Sequence, residues 1–131
     1  MLDGFATPEG TEFYAQEHSS FHYGELDQSG LLVSQAGFGC YRVDATVAEH
    51  REALRRALLA GANLIDTSSN YADGGSEALV GAVLEDLASS GDISRESVVV
   101  VSKVGYLQGQ NYELSQERKR QGIISKRLDA R

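Results

Sequence analysis

The sequence predicts a parallel α/β fold, the opening part of a (β/α)8 barrel with an N-terminal hairpin, about three strands and two helices. Three observations carry this. Short apolar runs alternate with amphipathic helical stretches in the order strand, helix, strand, helix, strand, which implies right-handed crossovers and a parallel sheet. The run at residues 98–101 is four consecutive valines, the composition of a strand buried on both faces. Polar residues suited to chemistry, Asp66, Tyr71 and Lys103, cluster where strands give way to loops, the end at which such barrels carry their active sites.

Taken in order, residues 1–18 mix polar residues with glycine and the single proline, Pro8, and are expected to form a flexible leader. Residues 21–26 and 31–34 are short extended runs around Asp27-Gln28-Ser29-Gly30, the pattern of a hairpin. Residues 35–43 read as a strand running into a loop. Thr46-Val47-Ala48-Glu49 matches a capping box, so a helix is expected to open at Thr46. Val47, Leu54, Ala57, Leu58 and Gly61 share its apolar face, and Gly61 suits a left-handed helix end. Residues 62–65 form the next strand, closed by Asp66. A second helix is expected over 76–88, with Leu79, Ala82, Val83 and Leu87 inward, and a third strand over 98–101 ending near Lys103. Residues 19–106 thus read as the barrel part, and 107–131 as a polar, basic tail with a polar helix in its latter half.

Composition narrows the function classes. Hydrophobic residues make up 41% of the 131 and charged residues 24%, ordinary for a soluble globular chain. One cysteine excludes an internal disulfide and fits a reducing compartment. No apolar run approaches the roughly 20 residues of a membrane span, and the N-terminus lacks the basic start of a secretory signal, so a cytoplasmic location with no membrane partner is expected. The net charge of −7 divides into a tail of about +4 over residues 115–131 and a remainder of about −11. The tail has no aromatic residue to stack on bases and the body repels phosphate, so no nucleic acid is expected. No metal site is assigned.

A dinucleotide-binding doubly wound sheet is the competing architecture, but it fails its context test. Gly37-Phe38-Gly39 begins the glycine fingerprint, yet Arg42 stands at the third glycine and the helix opens too late to present its amides there. In a barrel, neighbouring strands about 4.8 Å apart allow Asp66 and Lys103 to pair. A tyrosine beside that ammonium is a candidate proton donor, because the positive charge favours phenolate. Each residue also has a plainer role: Asp66 in a loop turn, Tyr71 as a half-buried anchor, Lys103 as an exposed residue after a strand. Their shared position at one sheet edge favours the chemical reading.

On these residues the chain resembles the aldo-keto reductases. Gly61-Ala62-Asn63-Leu64-Ile65-Asp66-Thr67-Ser68-Ser69-Asn70-Tyr71 is similar to that family's strand and catalytic-loop motif. Gly75-Ser76-Glu77 with Leu79-Val80-Gly81, and Val101-Ser102-Lys103-Val104, are similar to the segments that follow it. The resemblance implies NADP(H)-dependent reduction of an aldehyde or ketone, with Tyr71 as proton donor, Lys103 beside it and Asp66 positioning the lysine. It also implies that Gly39, Cys40 and Tyr41, with Asp66, lie near the nicotinamide. The family's fourth catalytic residue is a histidine after the next strand; His18, His22 and His50 all precede Asp66 and none fills that place. A whole barrel takes about 250 residues, so the isolated chain is expected to be incomplete and inactive, with a second chain completing the barrel or with self-association. A non-catalytic module pairing through open sheet edges is the alternative, and a truncated product the third reading.

Overall fold

The computed structural model describes residues 3–103, 105 and 107–123. Two sheets organise it. Strands β1 (Tyr23–Glu25) and β2 (Leu32–Ser34) form the antiparallel hairpin, with Gly24 opposite Val33. Strands β3 (Phe38–Gly39), β4 (Leu64–Asp66) and β5 (Val99–Val101) form a parallel sheet in that order, linked by helices α2 (Ala48–Ala60) and α3 (Gly75–Ser90). This is the hairpin-plus-barrel-segment architecture that the alternation predicts. The core lies between sheet and helices, where Leu54, Leu58, Ile65, Leu79, Val83, Leu87 and Val98 are buried. Each buried aliphatic side chain of this size contributes about 1.5–3 kcal/mol. α3 buries Leu79, Val83 and Leu87 as expected, leaves Ala82 only partly buried, and buries Val80 and Leu84 besides, so its apolar stripe is wider than the spacing predicts.

The leader differs from expectation. Residues 8–17 are a helix, α1 (Pro8–Glu17), with Pro8 in its first turn and Thr7 Oγ1 accepting from Gly10 N at 3.0 Å. Its Tyr14 is buried at 2% exposure and donates its hydroxyl to the Leu58 carbonyl. Thr11 Oγ1 accepts from Leu32 N at 3.0 Å, tying α1 to the hairpin. Thr-Pro before a short amphipathic stretch is a helix-start signal; anchoring to α2 and β2 then makes the short helix worth forming.

Two further differences have local causes, while the glycine expected to end α2 is where the sequence places it. The expected capping box does not form, and α2 opens at Ala48 with Val47 as its uncapped start. Asp44 takes the Thr46 hydroxyl at 2.6 Å and the Thr46 amide at 2.8 Å, so the amide that the Glu49 carboxylate would serve in a capping box is already satisfied by a carboxylate nearer in the chain. The hydrogen bonds from Thr46 hold the Asp44 carboxyl below its usual range. At the other end Gly61 has φ +122°, and a Cβ there would stand 2.9 Å from the Phe21 ring, so this helix end requires glycine. The valine run is not buried on both faces throughout: Val98 and Val99 are buried, but Val101 is 42% exposed. β5 is the outer strand of the described sheet, and nothing among the described residues pairs along its free edge.

Beyond β5, helix α4 (Gly109–Arg120) begins earlier than the tail helix expected and buries none of its residues. Leu114 and Ile123 are exposed, as a poorly packed tail predicts; Ile124 and Leu128 lie outside the described residues. Among the described residues no helix is long and apolar enough to cross a membrane.

The hairpin is fastened to the sheet above all through the Asn63 side chain, with Ser34 Oγ accepting from Asn63 N at 3.1 Å and the Tyr23 hydroxyl donating to Gly61 O at 2.7 Å. Asn63, fully buried, accepts from Ser34 N at 2.8 Å and donates to Leu32 O at 2.9 Å and Ser97 O at 3.0 Å. Those β2 groups face away from β1, and an edge left unserved at this depth would be costly.

Candidate active site

The parallel register sets the site. Gly39 lies opposite Asp66, and Asp66 opposite Val101, so all three strands deliver their C-terminal ends to one edge. Lys103 follows β5 by two residues and reaches back over that edge. Its ammonium pairs with the Asp66 carboxylate and donates to the Thr67 carbonyl at 3.0 Å. The same nitrogen stands 4.8 Å from the centre of the Tyr71 ring. The three residues singled out from the sequence are therefore together, on the edge expected of them.

The Asp66–Lys103 side chains are about half exposed, at 51% and 45%. A pair so wet adds little to stability, so its consequence is placement: it fixes a positive charge beside Tyr71. The hydrogen bond that the Lys103 ammonium donates to Asp66 holds it above its ordinary range; partial burial opposes this, and the Tyr71 hydroxyl adds to it. With its raised pKa, Lys103 remains cationic throughout the neutral range.

The loop between β4 and α3 is held by its own short side chains. Thr67 N donates to Val101 O at 2.8 Å, and the Thr67 and Ser76 hydroxyls lie 2.7 Å apart. Ser76 donates onward to the Cys40 carbonyl at 3.3 Å. Tyr71 N donates to Ser68 O at 3.1 Å and opens the turn Tyr71–Gly74. Within it Ala72 and Asp73 have φ of +49° and +53°, an uncommon conformation for residues with a Cβ. Ser76 belongs to the Gly-Ser-Glu segment visible in the sequence, but its role in bracing two loops was not readable there.

Of the turn Gly39-Cys40-Tyr41, the structure divides the roles. Cys40 is fully buried, its amide donates to Asp66 O at 2.8 Å and its carbonyl receives Ser76. The Cys40 side chain belongs to the core, where burial pushes the thiol pKa up, so what this residue presents at the turn is its backbone. Gly39 is exposed, and a Cβ there would meet nothing within 4 Å. The Tyr41 ring is 68% exposed and stands edge-on to Tyr71 at 5.3 Å, with the Arg42 guanidinium 5.9 Å from its centre. An open cleft of about 590 Å³ joins these groups, walled by Tyr41, Arg42, Ser68, Tyr71, Lys103 and Gln108. Among the described residues no histidine lines it: His18 stacks on Tyr14, His50 accepts from the Asp44 amide, and His22 lies by Phe21 and Gln35.

Comparison with known proteins places the chain in a family. The model of the Aldo/keto reductase family matches residues 37–128. An NAD(P)H-dependent D-xylose reductase of Scheffersomyces stipitis is 34% identical over 76 residues, which are 58% of this chain and 22% of that enzyme. In fold, the chain is similar to an aldo-keto reductase of Bacillus halodurans in its holo form, with TM-score 0.58 and 23% identity, over 79% of this chain and 36% of that one. It is also similar to a thermostable aldo-keto reductase solved with the inhibitor epalrestat, with TM-score 0.55 and 26% identity, over 78% and 38%. The chain thus spans between about a fifth and two fifths of the length of these relatives. With the family's model matched over more than half of its residues, the chain belongs to the aldo/keto reductase family.

Proposed function

We propose that this chain supplies the proton-donating half of an NADP(H)-dependent carbonyl reductase, and that it turns over only when the remaining barrel strands are supplied. The observation that carries the reading is the grouping of Tyr71, Lys103 and Asp66 at the C-terminal edge of a parallel sheet. As an aldehyde or ketone is reduced, its carbon takes a hydride and its oxygen gains negative charge. Tyr71 donates the proton to that oxygen. The Lys103 ammonium favours the phenolate left behind, and Asp66 keeps Lys103 in place.

The residues present fit the reactive end of a nicotinamide cofactor. The open backbone at Gly39 and the exposed Tyr41 ring offer a flat surface beside Tyr71, with the Asp66 carboxylate next to it. When bound, NADP(H) supplies the hydride. The S. stipitis relative is named as NAD(P)H-dependent, which supports this choice. Holding the hydride donor against the carbonyl contributes about 7–11 kcal/mol to such a reaction, and further barrel strands would supply much of that grip. Exposed Val101 on the edge strand β5 supports completion of the sheet by further strands.

The test is complementation. The purified chain is assayed for carbonyl-dependent NADPH oxidation alone and with a polypeptide carrying the later strands of a family member. The proposal expects no turnover alone and turnover in the mixture. Robust turnover by the isolated chain, or a mixture that associates and binds NADPH yet stays inactive, contradicts it.

A further inference from the structure

We propose that Asp73 is a positioning residue that builds the outer wall of the cleft by capping α4; this rests on the reductase reading of that cleft. α4 has no capping side chain of its own: Gln108 occupies its cap position without accepting from the helix. It also buries no residue, so apolar packing does not hold it. The missing acceptor comes from the turn that carries Tyr71. The two Asp73 carboxylate oxygens lie 3.2 and 3.0 Å from Gln110 N. A carboxylate at the amide end of a helix satisfies open donors and opposes the helix dipole.

Two independent features fit this contact. Gly109 has φ +56°, and a Cβ there would come within 2.5 Å of Asp73 Oδ1, so the carboxylate needs the space that only glycine leaves. Beside it, Gln108 Nε2 donates to the Asn70 carbonyl at 2.9 Å. Together they bring Gly105 and Gln108 to the cleft, where both form part of its lining with Tyr71 and Lys103. The left-handed conformation of Asp73 aims its side chain at α4, and Asp adopts that conformation more readily than most residues. One residue thus joins the Tyr71 turn to the helix that follows Gln108 in the cleft lining.

Three variants separate cap from backbone. Asp73→Asn keeps an oxygen acceptor and tolerates the positive φ. Asp73→Gly relieves the backbone but removes the cap, and Asp73→Ala loses both. On the isolated chain, trypsin cleavage after Arg118, Lys119 and Arg120 reads the opening of α4, and nitration of Tyr71 mapped by mass spectrometry reads exposure of the cleft. The proposal expects both rates to rise about fivefold in Asp73→Gly and Asp73→Ala, the loss of one cap, and to stay near the parent in Asp73→Asn. In the complemented reductase, Asp73→Ala raises KM for the carbonyl several-fold with a smaller change in kcat, and Asp73→Asn restores it. A glycine variant that matches the parent, α4 loosening without a change at Tyr71, or an unaltered KM each overturns the assignment. An inactive parent mixture would instead refute the reductase reading, while the cleavage and nitration rates still decide whether Asp73 holds the wall.

Discussion

Replacing Asn63 with leucine keeps the volume of a fully buried side chain and removes three hydrogen bonds at once. Ser34 N and Ser97 O lose their partner in the buried interior, and Leu32 O loses its partner at a partly buried position. An unsatisfied buried backbone group costs about 1–3 kcal/mol. Allowing the partly buried carbonyl to recover water, the sum is about 3–5 kcal/mol, a large part of the roughly 5–15 kcal/mol that holds a domain together. In urea, with a slope of about 1–3 kcal/mol per molar, the unfolding midpoint falls by about 2 M. Amide exchange adds a local readout: Ser34 N should lose protection more than the Leu64–Asp66 strand. A Ser34→Ala variant, which removes only the acceptor of Asn63 N at 3.1 Å and the bond to Ala36 O, should cost about 1 kcal/mol. If Asn63→Leu shifts the midpoint no more than that variant, the hairpin is not fastened through Asn63 and the reasoning fails.

Other outcomes follow from the same contacts. Tyr14→Phe removes the buried hydroxyl that serves the Leu58 carbonyl and should cost about 1–2 kcal/mol by urea unfolding; an unchanged midpoint would mean that α1 contributes only its ring. Cys40 should resist alkylation in the native chain at neutral pH and react once the chain is unfolded. Because burial raises its folded pKa, the native state favours the protonated thiol. Its contribution is therefore full below the free-thiol value of about 8.5 and declines as pH rises above it. Unfolding midpoints just above that value should fall in the parent and fall less in Cys40→Ser; equal slopes would place the titration elsewhere.

How much of this was legible depends on how local each signal is. β4, β5, α2 and α3 follow from apolar spacing within single segments, and Asp66, Tyr71 and Lys103 followed from their places at strand ends. The start of α2 did not follow, because Asp44 competes for Thr46 and a motif does not state which acceptor wins. α1 was missed because its Thr-Pro start stands in a stretch otherwise polar, and its anchors, Leu58 and Leu32, lie far along the chain. Asn63 stands within the strand motif that the sequence shows, but its partners at Ser34 and Ser97 are 29 and 34 residues away. The inward turn of Cys40 and the reach of Asp73 to Gln110 are likewise set by register and loop shape, which spacing alone does not carry.

The most direct test of Tyr71 as proton donor uses the complemented reductase and one substitution. Tyr71→Phe removes the hydroxyl while keeping the ring that packs edge-on to Tyr41. The account predicts a fall in kcat of about 10²–10⁴, with NADPH affinity from fluorescence titration largely unchanged. A phenylalanine variant that keeps its kcat would contradict the central claim.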